Sequence, residues 1–262
     1  MNEAKFDGMG NTYAKFRPTY PQAFIDYLFS DVGINKDSII ADIGSGTGIL
    51  TKQLLKLGNK VLAVEPNNDM RAVAEADLSD YINFKSVNGS AENTMLDSQS
   101  VDFITVAQAF HWFDRESFKA ECNRILKPNG KVILVWNSRT IDSEVNKDSD
   151  AINRKYCPDF KGFSGGIRGT EDANSQFSNF FVGEYETRIF QNDITFHLDG
   201  FIGRNRSASY ALKEKDENYL AYIAELTKCF YKHAFDGKMI MPNNTMSYMG
   251  TIVEFNQDWG KP

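Results

Sequence analysis

Short apolar runs alternate along the first half of the chain with segments whose apolar residues recur at helical spacing. Ile39, Ile40, Ala41 and Ile43 suit a buried strand. Ile49, Leu50, Leu54, Leu55 and Leu57 follow at the i, i+4, i+5 spacing of an amphipathic helix that ends at Gly58. Further strands are expected near 60–64, 82–87, 101–106 and 131–136. Strands and helices alternating between Ser38 and Trp136 demand a parallel sheet with right-handed crossovers. Ahead of them, Pro21 to Phe29 starts a helix with Pro at its first turn and Phe24, Ile25, Leu28 and Phe29 on its apolar face. Asp114 is a good N-cap for a helix bearing Phe118, Cys122, Ile125 and Leu126, which Lys127-Pro128-Asn129-Gly130 closes in a turn.

After Trp136 the pattern changes. A polar stretch runs through Asp150, a glycine-rich piece covers Gly162 to Gly169, and Phe177, Phe180 and Phe181 fall on a short helix. Residues 184–196 read as a strand, 215–234 as a helix with Leu220, Ile223, Leu226, Thr227 and Phe230 inward, and 245–254 as a closing strand. No internal repeat, low-complexity tract or linker marks off a second domain.

The chain has 262 residues, enough to bury a full core without disulfides or metals. Its three cysteines, Cys122, Cys157 and Cys229, form no Cys-x-x-Cys pair and have no nearby His at ligand spacing, so neither a disulfide framework nor a metal is expected, and the setting is reducing and cytoplasmic. No apolar run approaches the roughly 18 residues of a membrane span, and the polar start Met1-Asn2-Glu3-Ala4-Lys5 lacks a signal peptide's apolar region. A formal charge of -6 argues against nucleic acid as partner, because affinity for that polymer comes largely from neutralising phosphates with Lys and Arg.

The chemistry concentrates where the first strand meets its helix. In Asp42-Ile43-Gly44-Ser45-Gly46-Thr47-Gly48 the glycines let the backbone approach a ligand closely and adopt φ angles that a Cβ penalises. Glu65, at the tip of the next strand, can accept two hydrogen bonds from a ribose diol, worth about 1.5 to 3 kcal/mol each. A dinucleotide turn needs a small third residue in G-x-G-x-x-G/A, but that position holds Ile49, and Asp42 is unwelcome beside a pyrophosphate. S-adenosylmethionine (SAM) carries no phosphate. Its ammonium and sulfonium favour an acid near the turn.

Ala41 to Gly48 resembles the first motif of class I SAM-dependent methyltransferases, Val64-Glu65-Pro66-Asn67 their second, Gly89-Ser90-Ala91-Glu92 their adenine turn, and Ser100 to Val106 their fourth strand. Ser90 stands where many relatives carry Asp. A narrower resemblance, to the type 11 small-molecule methyltransferases that include trans-aconitate methyltransferases, rests on Tyr13 to Pro21, Gln108 to Asp114 and Gly203 to Tyr210. Relatives often have Pro-Tyr before a Thr where this chain has Pro242-Asn243-Asn244-Thr245.

The resemblance implies a Rossmann-like α/β fold: a mostly parallel seven-stranded sheet with an antiparallel last strand and helices on both faces. Residues 1–262 then make one methyltransferase domain, with 1–30 as N-terminal lid and helix and 38–136 as the SAM-binding core. Residues 137–182 and 197–235 are acceptor-side insertions, and 184–196 and 245–254 the final strands. Tyr13, Arg17, Asp42, Gly44, Ser45, Gly46, Glu65, Pro66, Asn67, Met70, Ser90, Ala91, Glu92 and Gln108 would contact SAM, which leaves as S-adenosylhomocysteine, without a metal. Tyr13, Arg17 and Tyr20 suggest a lid, with Arg17 on the methionine carboxylate and aromatics over the sulfonium, an attraction of about 0.5 to 2 kcal/mol.

His111 and Trp112 lie past the fourth strand, where an open α/β sheet places its crevice. His111 is a candidate base, Tyr20 a candidate positioning group, and Trp112, Arg204 and Arg206 candidate substrate contacts. The competing readings are that His111 caps a helix or stacks on SAM, that Trp112 belongs to the core, and that Arg204 and Arg206 lie on a solvated helix face. The expected activity is methyl transfer to a small molecule, at a carboxylate oxygen or a comparable acceptor, by a monomer or homodimer with no membrane or nucleic-acid partner. A non-catalytic SAM-binding regulator and a methyltransferase of macromolecules are the alternatives.

Overall fold

The computed structural model describes Gly10 and residues 17–140, 142–162 and 177–252. Helix α1 (Gln22–Ser30) buries Phe24, Ile25, Tyr27 and Leu28. Strands β1 (Ile39–Ile43), β2 (Lys60–Val64), β3 (Phe84–Val87), β4 (Val101–Ala107) and β5 (Leu126–Arg139) then alternate with α2 (Ile49–Lys56), α3 (Asn68–Leu78) and α4 (Arg115–Ile125). Ile40, Val61, Ile104 and Val132 are fully buried, as befits a sheet covered on both faces.

Two caps fix the entry angles of these helices. The Asn67 side chain accepts the Met70 N–H at 3.0 Å ahead of α3, and Asp114 accepts the Ser117 N–H at 2.9 Å ahead of α4. Each cap satisfies a backbone donor that the first helical turn leaves without a partner, worth about 1 kcal/mol.

The sheet has seven strands in the order β3-β2-β1-β4-β5-β9-β6, with β6 at Glu186–Gln191 and β9 at Asn243–Gly250. β1 to β5 are mutually parallel, and β9 runs antiparallel to both β5 and β6, so the expected reversed last strand is present. One apolar core, with Phe110, Phe118 and Phe180, fills one face. Another, with Phe24, Leu54 and Leu78, fills the opposite face.

Several boundaries differ from the sequence expectation: β3 begins at Phe84 rather than 82, β4 runs to Ala107, and the helix expected over 215–234 spans Tyr219–His233. β5 begins at Leu126 rather than 131, because a register shift between Val101 and Phe103 absorbs Lys127 to Gly130 as a bulge with Asn129 at φ 68°. The strand expected over 184–196 is two strands. β6 stops at Gln191, and β7 (Ile194–Phe196) leaves the sheet to pair with β8 (Met239–Met241). The break falls at Asn192-Asp193, where Asn192 donates to the Thr19 carbonyl, Asn137 and Thr245, and Asp193 accepts the Asn243 N–H. The closing strand runs from Asn243, and residues 253 and 254 of the expected span lie outside the described residues.

The acceptor side has its own core. α5 (Glu144–Tyr156), α6 (Leu198–Arg206) and α7 (Tyr219–His233) pack with the β7-β8 pair around Phe201, Tyr222, Leu226 and Phe230. The expected piece over Gly162 to Gly169 lies almost wholly outside the described residues; Phe177 to Phe180 is helical, and Phe177, Phe180 and Phe181 are buried in the sheet core.

Candidate cofactor and acceptor site

The turn after β1 is shaped by its glycines. Gly44 and Gly46 have φ of 66° and 56°, in the left-handed region that penalises a Cβ. A Cβ on Gly44 would come within 2.7 Å of the Ala109 Cβ, whereas one on Gly46 would meet nothing within 4 Å. Gly46 therefore leaves open space in front of the turn while Gly44 permits close packing behind it.

Glu65, at the end of β2, accepts the Gly46 N–H through Oε2 and the Asn67 N–H through Oε1, each at 2.9 Å. The carboxylate is buried, and it ties the turn to the entry of α3. A carboxylate offers about four lone-pair sites, so these two bonds leave capacity for a diol.

Asp42 stands behind the turn. It is fully buried, and its two oxygens accept the hydroxyls of Thr51 at 2.6 Å and Thr105 at 2.8 Å. Burial pushes its pKa up to about 6, against the opposing hydrogen bonds of the two threonines.

A crevice enclosing about 460 Å³, open to solvent, runs along the turn. The turn residues Gly44 to Thr47 line it together with Arg17, Tyr20, Gln108, Asn137 and Arg204. Among its described lining residues there is no acid, although the whole chain carries -6. Arg17 donates to the Ser207 carbonyl at 2.9 Å, joining the N-terminal segment to the end of α6. Tyr20 is buried against Phe24, with ring centroids 5.8 Å apart. Gln108 adopts φ 62° and donates to the Asn137 carbonyl at 3.2 Å.

The remaining expected cofactor residues lie off this crevice, at the ends of β2 and β3. Met70 and Ala91 are buried, Pro66 lies between Glu65 and Asn67, Ser90 accepts the Asn93 N–H, and Glu92 accepts the Asp114 N–H at 3.0 Å. Tyr13 lies outside the described residues.

His111 and Trp112 sit in a short turn of 3-10 helix (Phe110–Trp112), rings 4.7 Å apart, and neither lines the crevice. His111 is exposed as a whole residue. Desolvation by the protein around it nevertheless pushes its pKa down, to about 4. The direction alone leaves the imidazole neutral at pH 7. Trp112 packs half-buried against the sheet core.

The two arginines expected together part company. Arg204 reaches the crevice, whereas Arg206 turns to the exposed face and pairs with Glu214 at 2.6 Å, its guanidinium 5.7 Å from the Tyr219 ring. Two residues apart on a helix are about 200° apart around its axis, so both could not share one face.

Sequence reasoning passed over Asn137. Its side chain donates to the Pro18 and Thr19 carbonyls at 3.3 and 3.1 Å and accepts from Asn192 and Thr245, so it gathers the N-terminal segment, β5, β9 and the β6–β7 turn. The tail of a strand gives no periodic signal for such a junction. Also unforeseen is Arg139, fully buried, its guanidinium donating to Ser149 at 3.1 Å and its pKa lowered by desolvation. A third omission is the cluster of Asp148, Cys229 and His233. The expectation of no metal rested on there being no cysteine pair and no nearby His, and the second ground fails: Cys229 and His233 are four residues apart, a spacing legible in the sequence.

Comparison with known proteins agrees with this geometry. Residues 41–134 match the family model described as a methyltransferase domain, type 11. An uncharacterized methyltransferase of Mycobacterium tuberculosis is 38% identical over 134 residues, 51% of this chain and 52% of that protein. A methyltransferase-like protein of Schizosaccharomyces pombe is 38% identical over 128 residues, 48% and 49% of the two chains. The chain thus spans about half the length of the curated relatives it matches. Among solved structures, one from Anaeromyxobacter dehalogenans, provisionally described as a type II methyltransferase, superposes with a TM-score of 0.65 at 21% identity, covering 91% of this chain and 99% of the other. The YcgJ protein of Bacillus subtilis gives 0.56 at 16%, covering 88% and 99%.

Among the described residues, no helix is long and apolar enough to cross a membrane. Residues 41–134 are thus similar to the type 11 methyltransferase domain, and the sheet has the Rossmann-like fold of class I methyltransferases.

Proposed function

We propose that the chain transfers the methyl group of SAM to a small acidic acceptor, at a carboxylate or comparable oxygen. The observation that carries the reading is the crevice: one solvent-open crevice is lined both by the glycine turn and by Arg17 and Arg204, with no acid among its described lining residues.

The residues fit SAM. Gly46 leaves a space that a side chain would otherwise occupy, and Glu65 is placed at the end of β2 with lone pairs to spare. Bound there, SAM supplies a methyl carbon already activated by its sulfonium: an acceptor oxygen bonds that carbon as the carbon–sulfur bond breaks and its electron pair stays on sulfur.

The chain's part is positioning and exclusion of water. Arg204 offers a planar fork suited to a carboxylate, and Arg17 adds positive charge beside it. Asn137 holds Pro18 and Thr19 over the crevice through their carbonyls. A carboxylic acid is ionised at pH 7, so its oxygen needs no base. That agrees with His111 lying outside the crevice and neutral.

The test is incubation of the full chain with methyl-labelled SAM and a panel of small mono-, di- and tricarboxylic acids, with Glu65→Ala as control. The expected result is base-labile label in a small acid with the wild type alone. Label confined to macromolecules, or no label despite SAM binding, overturns the reading in favour of a macromolecular acceptor or a regulator.

A further inference from the structure

On the acceptor side, away from the glycine turn, α5 packs against α7 and brings together three side chains that suit a metal. Cys229 and His233 are one helical turn apart and share a face of α7. Asp148 meets them from α5, and one potential donor atom from each of the three lies within 4.8 Å of the others. Cys229 is buried, while Asp148 and His233 are partly exposed. We propose that Asp148, Cys229 and His233 bind a divalent, thiophilic cation of the zinc class, which fastens α5 to α7.

The donor set makes the selection. One thiolate, one imidazole and one carboxylate suit zinc or cobalt, whereas magnesium and calcium want oxygen throughout. Bond lengths of about 2.0 to 2.3 Å in a tetrahedral site put donor atoms roughly 3.3 to 3.7 Å apart, so the cluster must contract by about 1 Å. The partly exposed Asp148 and His233 can supply that by small rotations. His233 Nε2 and Asp148 Oδ2, hydrogen-bonded at 2.6 Å, move the other way, opening by about 0.7 Å as the cation takes the place of the shared proton. The fourth position falls to water, on the solvent side of Asp148 and His233.

Lys232 opposes the cation, because its ammonium lies 2.6 Å from the same Asp148 oxygen. It is mostly solvated, and such an ion pair gives way readily. A carboxylate also has a second oxygen, so Lys232 and a cation can share Asp148. Without a metal, burial and the nearby Asp148 push the Cys229 thiol up to about 11. Binding forms three coordinate bonds, breaks the Cys229 S–H and releases its proton to the buffer, with no change of oxidation state.

The test uses the full chain, stripped of metal by dialysis and titrated with Co²⁺, then with Zn²⁺. The expected result is a thiolate-to-cobalt charge-transfer band that saturates at one equivalent and is displaced by Zn²⁺, with a rise in Tm. Cys122→Ser and Cys157→Ser keep the band, and Cys229→Ser removes it. Asp148→Asn and His233→Gln, at partly exposed positions, weaken binding at least about tenfold while circular dichroism shows the fold intact. The proposal fails if no such band appears, if it survives Cys229→Ser, or if it follows Cys122 or Cys157 instead. None of these readouts depends on methyl transfer.

Discussion

The two halves of the crevice are built by different means. The turn after β1 is made by backbone: Gly44 and Gly46 at positive φ, with Glu65 bonded to N–H groups on both sides of it, all within a short stretch of sequence. The facing half is made by side chains gathered from afar, Arg17 near the N-terminus, Asn137 at the end of β5 and Arg204 on α6, joined by bonds such as that from Arg17 to the Ser207 carbonyl. A backbone-built half admits few substitutions and fixes one ligand. A side-chain-built half can be redecorated without disturbing the sheet, as befits the part that chooses the acceptor.

The sharpest way to break this comparison is Glu65→Ala. It removes the carboxylate that bonds the Gly46 and Asn67 N–H groups and, on the proposed reading, two bonds to the ribose diol; at about 1.5 kcal/mol or more for each charge-assisted ribose bond the SAM Kd should rise at least about a hundredfold. Isothermal titration with SAM checks this, and an unchanged Kd would mean that the turn stands without its brace.

Asp42 tests the layer behind the turn. Its folded pKa of about 6 exceeds the ordinary aspartate value of 3.8. Below the lower value both states are protonated, and the group costs nothing. As pH rises towards 6 the unfolded chain gives up its proton while the folded chain keeps it, so stability falls by about 1.4 kcal/mol per pH unit until the folded group ionises. Between pH 3 and 7 the wild type should therefore lose about 3 kcal/mol relative to Asp42→Asn, read from urea unfolding at each pH. Parallel curves for the two proteins would show that the threonine hydroxyls fully offset the burial.

On the facing half, Arg204→Ala should raise the acceptor KM by about 10- to 100-fold, the worth of a charge-assisted bond, and leave the SAM Kd within a factor of two. Arg206→Ala, which touches only Glu214 and Tyr219, should leave both constants unchanged. A larger loss at Arg206 than at Arg204 would reverse their assignment. The smallest effect belongs to His111→Ala, with kcat falling by no more than about threefold and a flat pH-rate profile between 6 and 8; a lost limb in that profile would restore the base reading.

The same contrast explains what the sequence disclosed. β1, α2 and β2 are legible because strand, turn and helix are each encoded within a few residues, from Ile39 to Val64, and the observed bounds of both strands coincide with the expected ones. The parallel direction of β1 to β5 follows once the alternation is recognised, whereas their order in the sheet does not. The Asn192-Asp193 break is not legible, because the acceptors that draw Asn192 out of line, Thr19, Asn137 and Thr245, lie far away in sequence. Arg206 was misplaced because a pair of like residues on one short helix reads as one cluster until helical geometry separates them. Asp42 could be seen to belong to the turn, but only the coordinates put it behind rather than in front.

The position of β9 has a bearing on how the molecule comes into being. Among the described residues, β5 finds its outer neighbour in residues 243–250, and β6 pairs in the large sheet with that strand alone. On the ribosome, the cofactor half can assemble as soon as β5 has emerged, each strand lying beside one already made. The acceptor half then has to be spooled out and held as one long loop until a strand made more than a hundred residues after β5 slides in between. A nascent chain halted before residue 243 would expose the flank of β5 and leave β6 without a neighbour in the large sheet, a state open to edge-to-edge pairing with other chains.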